Sequence, residues 1–226
     1  MKAQATLANT FSMAGRRNRV MKRIGLLLCV VFLCVEANAQ TLTWLGTLGD
    51  DDSHVGEAYD ISADGSVVVG VSVDSTRRLR AFRWYNGVMQ NLGTLGGDRS
   101  VALGVSADGS VVVGWADNAS GSLRAFRWTA ATGMQDLGTL GGYESVAYDV
   151  SADGSVVVGW AQDTNRTARA FRWTPTGGMQ DLGTLRSDNE GPSEAYAISD
   201  DGSVIVGRAN APDWYFHAFR WTSRTG

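Results

Sequence analysis

Apolar and polar positions along residues 41–226 fall into short β-type runs that recur as a set. In the third copy the runs are residues 134–140, 145–150, 155–160 and 169–174, rich in valine, threonine and aromatic side chains and separated by Gly, Asp, Ser and Asn. That composition is strand chemistry bounded by turn chemistry. No helical period is evident, and 28 glycines disfavour a helical bundle. The turn Ser-Ala-Asp-Gly-Ser begins at Ser62, Ser106 and Ser151 and returns as Ser199-Asp200-Asp201-Gly202-Ser203, at spacings of 44, 45 and 48 residues. Asp-Gly between two β-rich runs predicts a hairpin, because the pair accepts the positive φ of a primed turn. The Val-Val-Val run that follows (67–69, 111–113, 156–158) is apolar on both faces, as in a strand sandwiched between sheets.

The same step separates Trp84, Trp128, Trp173 and Trp221, each closing an Ala-Phe-Arg-Trp signature, and Asp64, Asp108, Asp153 and Asp201 in the turns. Residues that recur at equivalent places are read as scaffold, the tryptophans packing between units. Arg83, Arg127, Arg172 and Arg220, each preceding its tryptophan, are expected to reach a carboxylate on an adjacent strand, such as Asp136 or Asp181. Four strands per period of about 44 residues matches a propeller blade. The fold class is therefore all-β, a β-propeller of about four four-stranded blades, with units at about 49–95, 96–140, 141–185 and 186–226. A solenoid of shorter coils is the second architecture. Residues 41–48 carry an orphan Leu-Gly-Thr-Leu copy that the last unit lacks, and are expected to close the ring as its missing strand. The competing reading is a part of a larger propeller.

Residues 1–39 are not read as fold. Arg16, Arg17, Arg19, Lys22 and Arg23, the apolar run 24–35 and Ala37-Asn38-Ala39 predict a secretory signal peptide cleaved after Ala39, with translation starting alternatively at Met13 or Met21. The run is shorter than the ~20 residues a membrane-spanning helix needs, so no membrane insertion is expected after cleavage. The location predicted is extracellular or periplasmic. Both cysteines and both lysines precede residue 40, as do 6 of 20 basic and one of 23 acidic residues. What remains is 14 arginines against 22 carboxylates, a formal charge of −8. Such a chain is a poor partner for nucleic acid. Without disulfides it must hold together by apolar burial.

The combination of Ser-Ala-Asp-Gly-Ser-Val-Val-Val-Gly, Ala-Phe-Arg-Trp and Met-Gln-Asp-Leu-Gly-Thr-Leu-Gly-Gly resembles the HAF-type extracellular repeat family of bacteria, named for a His-Ala-Phe triplet. Only His217-Ala218-Phe219 matches the triplet literally; Arg80, Arg124 and Arg169 replace the histidine elsewhere. The resemblance implies a secreted or cell-surface protein with a propeller-like fold and no defined activity.

Absence of Cys and Lys beyond residue 39 excludes thiol nucleophiles, Schiff bases and lysine-bearing phosphate loops there. No catalytic residue or cofactor is assigned. Variation between copies carries more information. Leu95 to Ser106 and Leu140 to Ser151 span 11 steps, whereas Leu48 to Ser62 and Leu185 to Ser199 span 14. The first and last units thus carry longer loops, where binding residues concentrate on a rigid scaffold. The candidates for ligand binding are Asp51, His54, Arg186, Asp188, Trp214 and Tyr215, with Asp50, Asp51 and Asp52 as candidate Ca²⁺ ligands. The function expected is a non-enzymatic module binding a glycan or a protein. The alternatives are a polysaccharide-active hydrolase or lyase using Asp51 with Glu190 or Glu194, and a purely structural surface repeat.

Overall fold

The computed structural model describes residues 41–49 and 55–223. It divides into the units Met1–Leu42 and Thr43–Gly226, and all the described strands belong to the second. They form four antiparallel sheets, each a meander in chain order. Blade 1 is β1 (Gly56–Ile61), β2 (Val67–Val73), β3 (Leu79–Tyr85) and β4 (Val88–Asn91). Blade 2 is β5 (Gly96–Val105), β6 (Val111–Asn118), β7 (Leu123–Thr129) and β8 (Gly133–Asp136). Blade 3 is β9 (Gly141–Val150), β10 (Val157–Asp163), β11 (Ala168–Thr174) and β12 (Gly178–Asp181). Blade 4 has β13 (Ser193–Ile198), β14 (Val204–Asn210) and β15 (Phe216–Thr222), and no fourth strand among the described residues.

Each sheet packs its face on the next, the propeller arrangement that the sequence period implied. One face of β2 meets the opposite face of β6: Val67 and Val69 share a buried cluster with Val112 and Ala102. Val113 meets Val157 in the same way, and Val158 meets Ile205. Sandwiching explains why the middle strands read as continuous valine. At the two ends the pattern fails, for Val206 is 42% exposed on blade 4 and Ile61 55% exposed on blade 1. Trp128 is buried in the first cluster, and Trp173 and Trp221 pack against the other two.

The Asp-Gly turns are not primed two-residue hairpins. Ser62 N–H donates to Val67 O at 2.9 Å, closing a four-residue connection, and of the pair only Gly65 takes a positive φ, +73°. The aspartate serves as an internal acceptor: Asp64 Oδ1 takes Ser62 Oγ at 2.7 Å and Ser66 N at 2.9 Å. Asp108, Asp153 and Asp201 repeat the contact. A backbone ladder joins these turns across the blades, Ala63 N to Ala107 O, Ala107 N to Ala152 O and Ala152 N to Asp200 O, at 3.0 to 3.1 Å.

A buried serine at the start of each later blade supplies the second inter-blade link. Ser100 Oγ accepts Ala81 N–H at 2.9 Å and donates to Gly93 O at 2.6 Å, tying blade 2 to β3 and to the linker behind it. Ser145 does this to Ala125 and Gly138, and Ser193 to Ala170 and Gly183. All three serines have no solvent exposure.

Two expectations are corrected. Residues 41–49 form no strand, and among the described residues no strand lies beyond β15; Leu48 N–H instead donates to Ser72 Oγ of blade 1 at 3.1 Å. The three inter-blade interfaces fix the placement of the sheets, and blades 1 and 4 share no packed interface among the described residues. The second concerns the arginines. Arg124 and Arg169, the first of each pair, hold Asp136 and Asp181 at 3.1 Å. Arg83 and Arg127 reach forward instead, to Gly109 O at 3.0 Å and Gly154 O at 3.2 Å in the next turn, while Arg172 Nε is buried without a partner. The two arginines are three residues apart, so strand alternation points them to opposite faces.

Two outcomes follow. Ser145→Ala leaves a buried amide and a buried carbonyl without partners, and should cost about 1–3 kcal/mol in urea unfolding. The turn hydrogen bonds hold Asp64, Asp153 and Asp201 at about 2, below the usual carboxylate value. A carboxylate depressed on folding stabilises above its unfolded pKa and loses that contribution as pH falls towards its folded one. The melting temperature should therefore drop between pH 4 and pH 2, and the drop should be shallower in Asp153→Asn.

Candidate functional site

The inserted loop of blade 4 lies between β12 and β13, at residues 182–192, against four residues (92–95) at the equivalent place between β4 and β5. It contacts the turn between β14 and β15 through one side chain. The Arg186 guanidinium stacks on the Trp214 ring at 3.6 Å, donates through Nη1 to Pro212 O at 3.4 Å, and is held by Asp188, whose Oδ1 accepts Nε at 2.9 Å and whose Oδ2 accepts Nη2. Their pairing lowers the pKa of Asp188 and raises that of Arg186. Three of the predicted residues, Arg186, Asp188 and Trp214, are thereby brought together. Tyr215 follows Trp214 on the same turn and stays open to solvent.

The turn itself is strained. Trp214 has φ +64°, in the left-handed region, where the equivalent residues are Arg77, Gly121 and Arg166. A bulky side chain there is an outlier that its surroundings must enforce. Trp214 N–H closes the turn on Ala211 O at 2.9 Å, and Asn210 Nδ2 donates to Trp214 O at 2.9 Å. In blades 1 to 3 the turn's first residue, Asp74, Asn118 or Asp163, accepts the internal amides. Ala211 has no such oxygen. Asp213 takes the task over, accepting Tyr215 N–H at 3.0 Å and facing His217 Nε2 at 2.9 Å, contacts that lower its pKa. The outcome is a ring and a phenol presented outward, Trp214 61% and Tyr215 74% exposed.

A polar recess of about 300 Å³ adjoins the inserted loop, lined by Asp163, Asn165, Thr167, Arg169, Asn189 and Glu190. Arg169 forms its floor, with Nη1 donating to Asn189 O at 2.7 Å and Gly191 O at 3.0 Å. Sequence reasoning did not find this recess, because Arg169 is one of a repeated set and only the insertion beside it is unusual. Of the nominated acids, Asp51 lies outside the described residues. Glu190 lines the recess, whereas Glu194 lies on β13, paired with Arg208 at 2.8 Å and accepting from Tyr196 Oη at 2.7 Å. Burial, with that bond to Glu194, pushes Tyr196 up to about 12.

Asp50, Asp51, Asp52 and His54 lie outside the described residues, and with them the proposed Ca²⁺ ligands. Among the described residues no cluster of three His, Cys, Asp or Glu side chains could hold a metal ion.

No protein-family model matches the sequence, and no curated protein is similar enough to count as a relative. Solved structures do match. TolB from Acinetobacter baumannii is similar at TM-score 0.56 and 16% identity, over 76% of this chain and 42% of that one. A protein assigned as TolB from Agrobacterium tumefaciens is similar at 0.55 and 13%, over 74% and 61%. A puromycin hydrolase is similar at 0.51 and 18%, over 78% and 28%. The chain thus spans less than two thirds of each. Likeness at such identity shows the fold, a β-propeller scaffold, and function must be argued from the site.

Trp214→Gly should separate stability from presentation. Glycine relieves about 1–2 kcal/mol of left-handed strain, while the cation–π interaction it removes is worth about 0.5–1 kcal/mol at an exposed site. The variant should melt at or above the parent temperature by calorimetry.

Proposed function

We propose that the protein is an exported, non-enzymatic binding module of the HAF-repeat type, taking a glycan or a protein surface on the face that carries the inserted loop and Trp214. The observation behind this reading is an exposed aromatic pair held at a backbone cost. Trp214 sits in a conformation that glycine occupies in blade 2, and Arg186, Asp188 and Asn210 are arranged to keep it there. Strain retained on an outward-facing turn is common where side chains bind. An aromatic ring with one face on a cation keeps the other for a partner, and Tyr215 adds a second flat surface with a polar tip. The recess beside it offers Arg169, Asn165 and Thr167 as hydrogen-bond partners of the kind that orient a hydroxylated ligand. The leader-like residues 1–39 support export, since an acidic chain free of cysteine beyond them needs no reducing compartment.

Binding to an immobilised panel of bacterial surface glycans and envelope proteins tests the reading. Trp214→Ala and Tyr215→Ala should each weaken the strongest binder by about tenfold or more, as loss of an aromatic anchor does, with unfolding lowered by no more than the ~0.5–1 kcal/mol of the lost cation–π contact. Equal binding by the parent and the double variant would rule the site out.

A further inference from the structure

The second arginine of the Ala-Phe-Arg-Trp signature is a repeated charge without a counter-ion. Arg80, Arg124 and Arg169 hold carboxylates, whereas Arg83 and Arg127 hydrogen-bond only to turn carbonyls of the next blade. The two copies differ in what they leave over. Arg127 gives both Nε and Nη2 to Gly154 O, at 3.3 and 3.2 Å, while Arg83 gives Nε alone to Gly109 O at 3.0 Å. Its guanidinium also lies over the Tyr85 ring at 5.1 Å. Arg83 is thus held in place, and its two terminal nitrogens have no hydrogen-bond partner among the described residues.

Arg83 lines a groove of about 610 Å³ between blades 1 and 2, a volume typical of small-ligand sites. Blade 1 contributes Arg83 and Gln90, opposite one another on β3 and β4. Blade 2 contributes the turn residues Asp108 and Ser110, together with Thr129, Ala130 and Ala131 at the end of β7. Arg127 and Asp153 complete the polar lining. Blade 1 is cut back beside it. Its β3–β4 connection has two residues, Asn86 and Gly87, both at positive φ as a primed hairpin requires, against three in blades 2 and 3. Tyr85, 44% exposed, stands where those blades have Thr129 and Thr174. The repeat is broken at this groove too.

The lining selects among classes of ligand. Arg83 and Arg127 are matched by Asp108 and Asp153, so the formal charges cancel, and an anion or a cation would meet a like charge. A hydrocarbon would take water from these groups and return no hydrogen bond. A ring bearing hydroxyls suits all of them, because each hydroxyl both donates and accepts. The free Arg83 nitrogens donate, the exposed Asp108 carboxylate accepts, and the exposed Gln90 amide does either. Ala130 and Ala131, also exposed, offer methyl groups to the C–H face of such a ring.

We propose that this groove is a second binding site, for an uncharged saccharide, with Arg83 donating to ring hydroxyls and Asp108 accepting from them. It lies at the opposite ends of the strands from Trp214. In an antiparallel meander the β1–β2 and β3–β4 turns fall at one end, and the β2–β3 turn and its blade 4 equivalent at the other. The proposal therefore does not rest on the reading of the Trp214 face.

The full chain is titrated by NMR with disaccharides of glucose, galactose, mannose and N-acetylglucosamine, and with their uronic-acid, sulfated and amino-sugar counterparts. At least one uncharged disaccharide is expected to bind more tightly than its charged counterparts. Arg83→Gln should weaken it by about tenfold or more, the contribution of hydrogen bonds from a charged donor. Ala131→Trp, which fills the groove from an exposed turn position, should weaken it at least as much. Arg172→Gln, the same change at the equivalent place outside the groove, should leave the affinity as it was. Tighter binding of the charged sugars, or no binding of the uncharged ones, would overturn the proposal. Equal losses in Arg83→Gln and Arg172→Gln with none in Ala131→Trp would overturn it in favour of a purely structural arginine. Binding lost in Trp214→Ala but kept in both groove variants would place the sugar on the other face, and the proposal would fall.

Discussion

The buried serine at the head of each later blade is the constraint on which the assembly depends. Ser100, Ser145 and Ser193 each satisfy an amide of one strand and a carbonyl of a linker, both belonging to the previous blade. Only a short side chain with both a donor and an acceptor fits there. Alanine would leave two polar groups dry, and a larger residue would force the sheets apart. The valine faces can interdigitate because the hydroxyls fix the spacing and register at which they meet. Most ion pairs are secondary, since the exposed pair of Arg78 and Asp98 belongs to a class worth about 0–1 kcal/mol.

Much of the fold was legible because it repeats. Identical turns, tryptophans and triple valines at one period specified the blades, and the 11-step and 14-step linkers located the insertion. The serine clamp was equally periodic at positions 100, 145 and 193, yet it went unread. Its copy in blade 1 is Gly56, and a serine in a strand carries no apolar signal. The arginine pairing was misassigned because it depends on hairpin register: Phe126 lies opposite Asp136, which puts the carboxylate diagonal to Arg124 and out of reach of Arg127. In the candidate site, the predicted Arg186, Asp188 and Trp214 come together, but the left-handed backbone that presents the ring could not be read from residue types. Tryptophan is not a residue that announces such a turn.

The scaffold and the candidate site follow different rules. Within the repeats the turns copy one another closely, and the left-handed position between the second and third strands is held by Arg77, Gly121 or Arg166, each with an acceptor at the turn's first residue. On blade 4 the copies diverge: alanine replaces the turn acceptor, tryptophan replaces arginine or glycine, and the inserted loop supplies Arg186 and Asp188 to hold the result. Departure from the repeat marks what the fold does not need. That contrast is the physical basis for assigning the repeated geometry to architecture and the irregular turn to recognition.

Blade 4 also differs from its neighbours in how it is supported. Blades 2 and 3 are buttressed on both faces, whereas blade 4 has three strands and one packed interface among the described residues. Local opening is easiest where buried contacts are fewest. The recognition turn therefore rides on the part of the molecule able to loosen without global unfolding. Anything that docks on Trp214 would be felt as slower amide exchange through β13 to β15, while β6 and β10, enclosed on both sides, keep the pace of the whole.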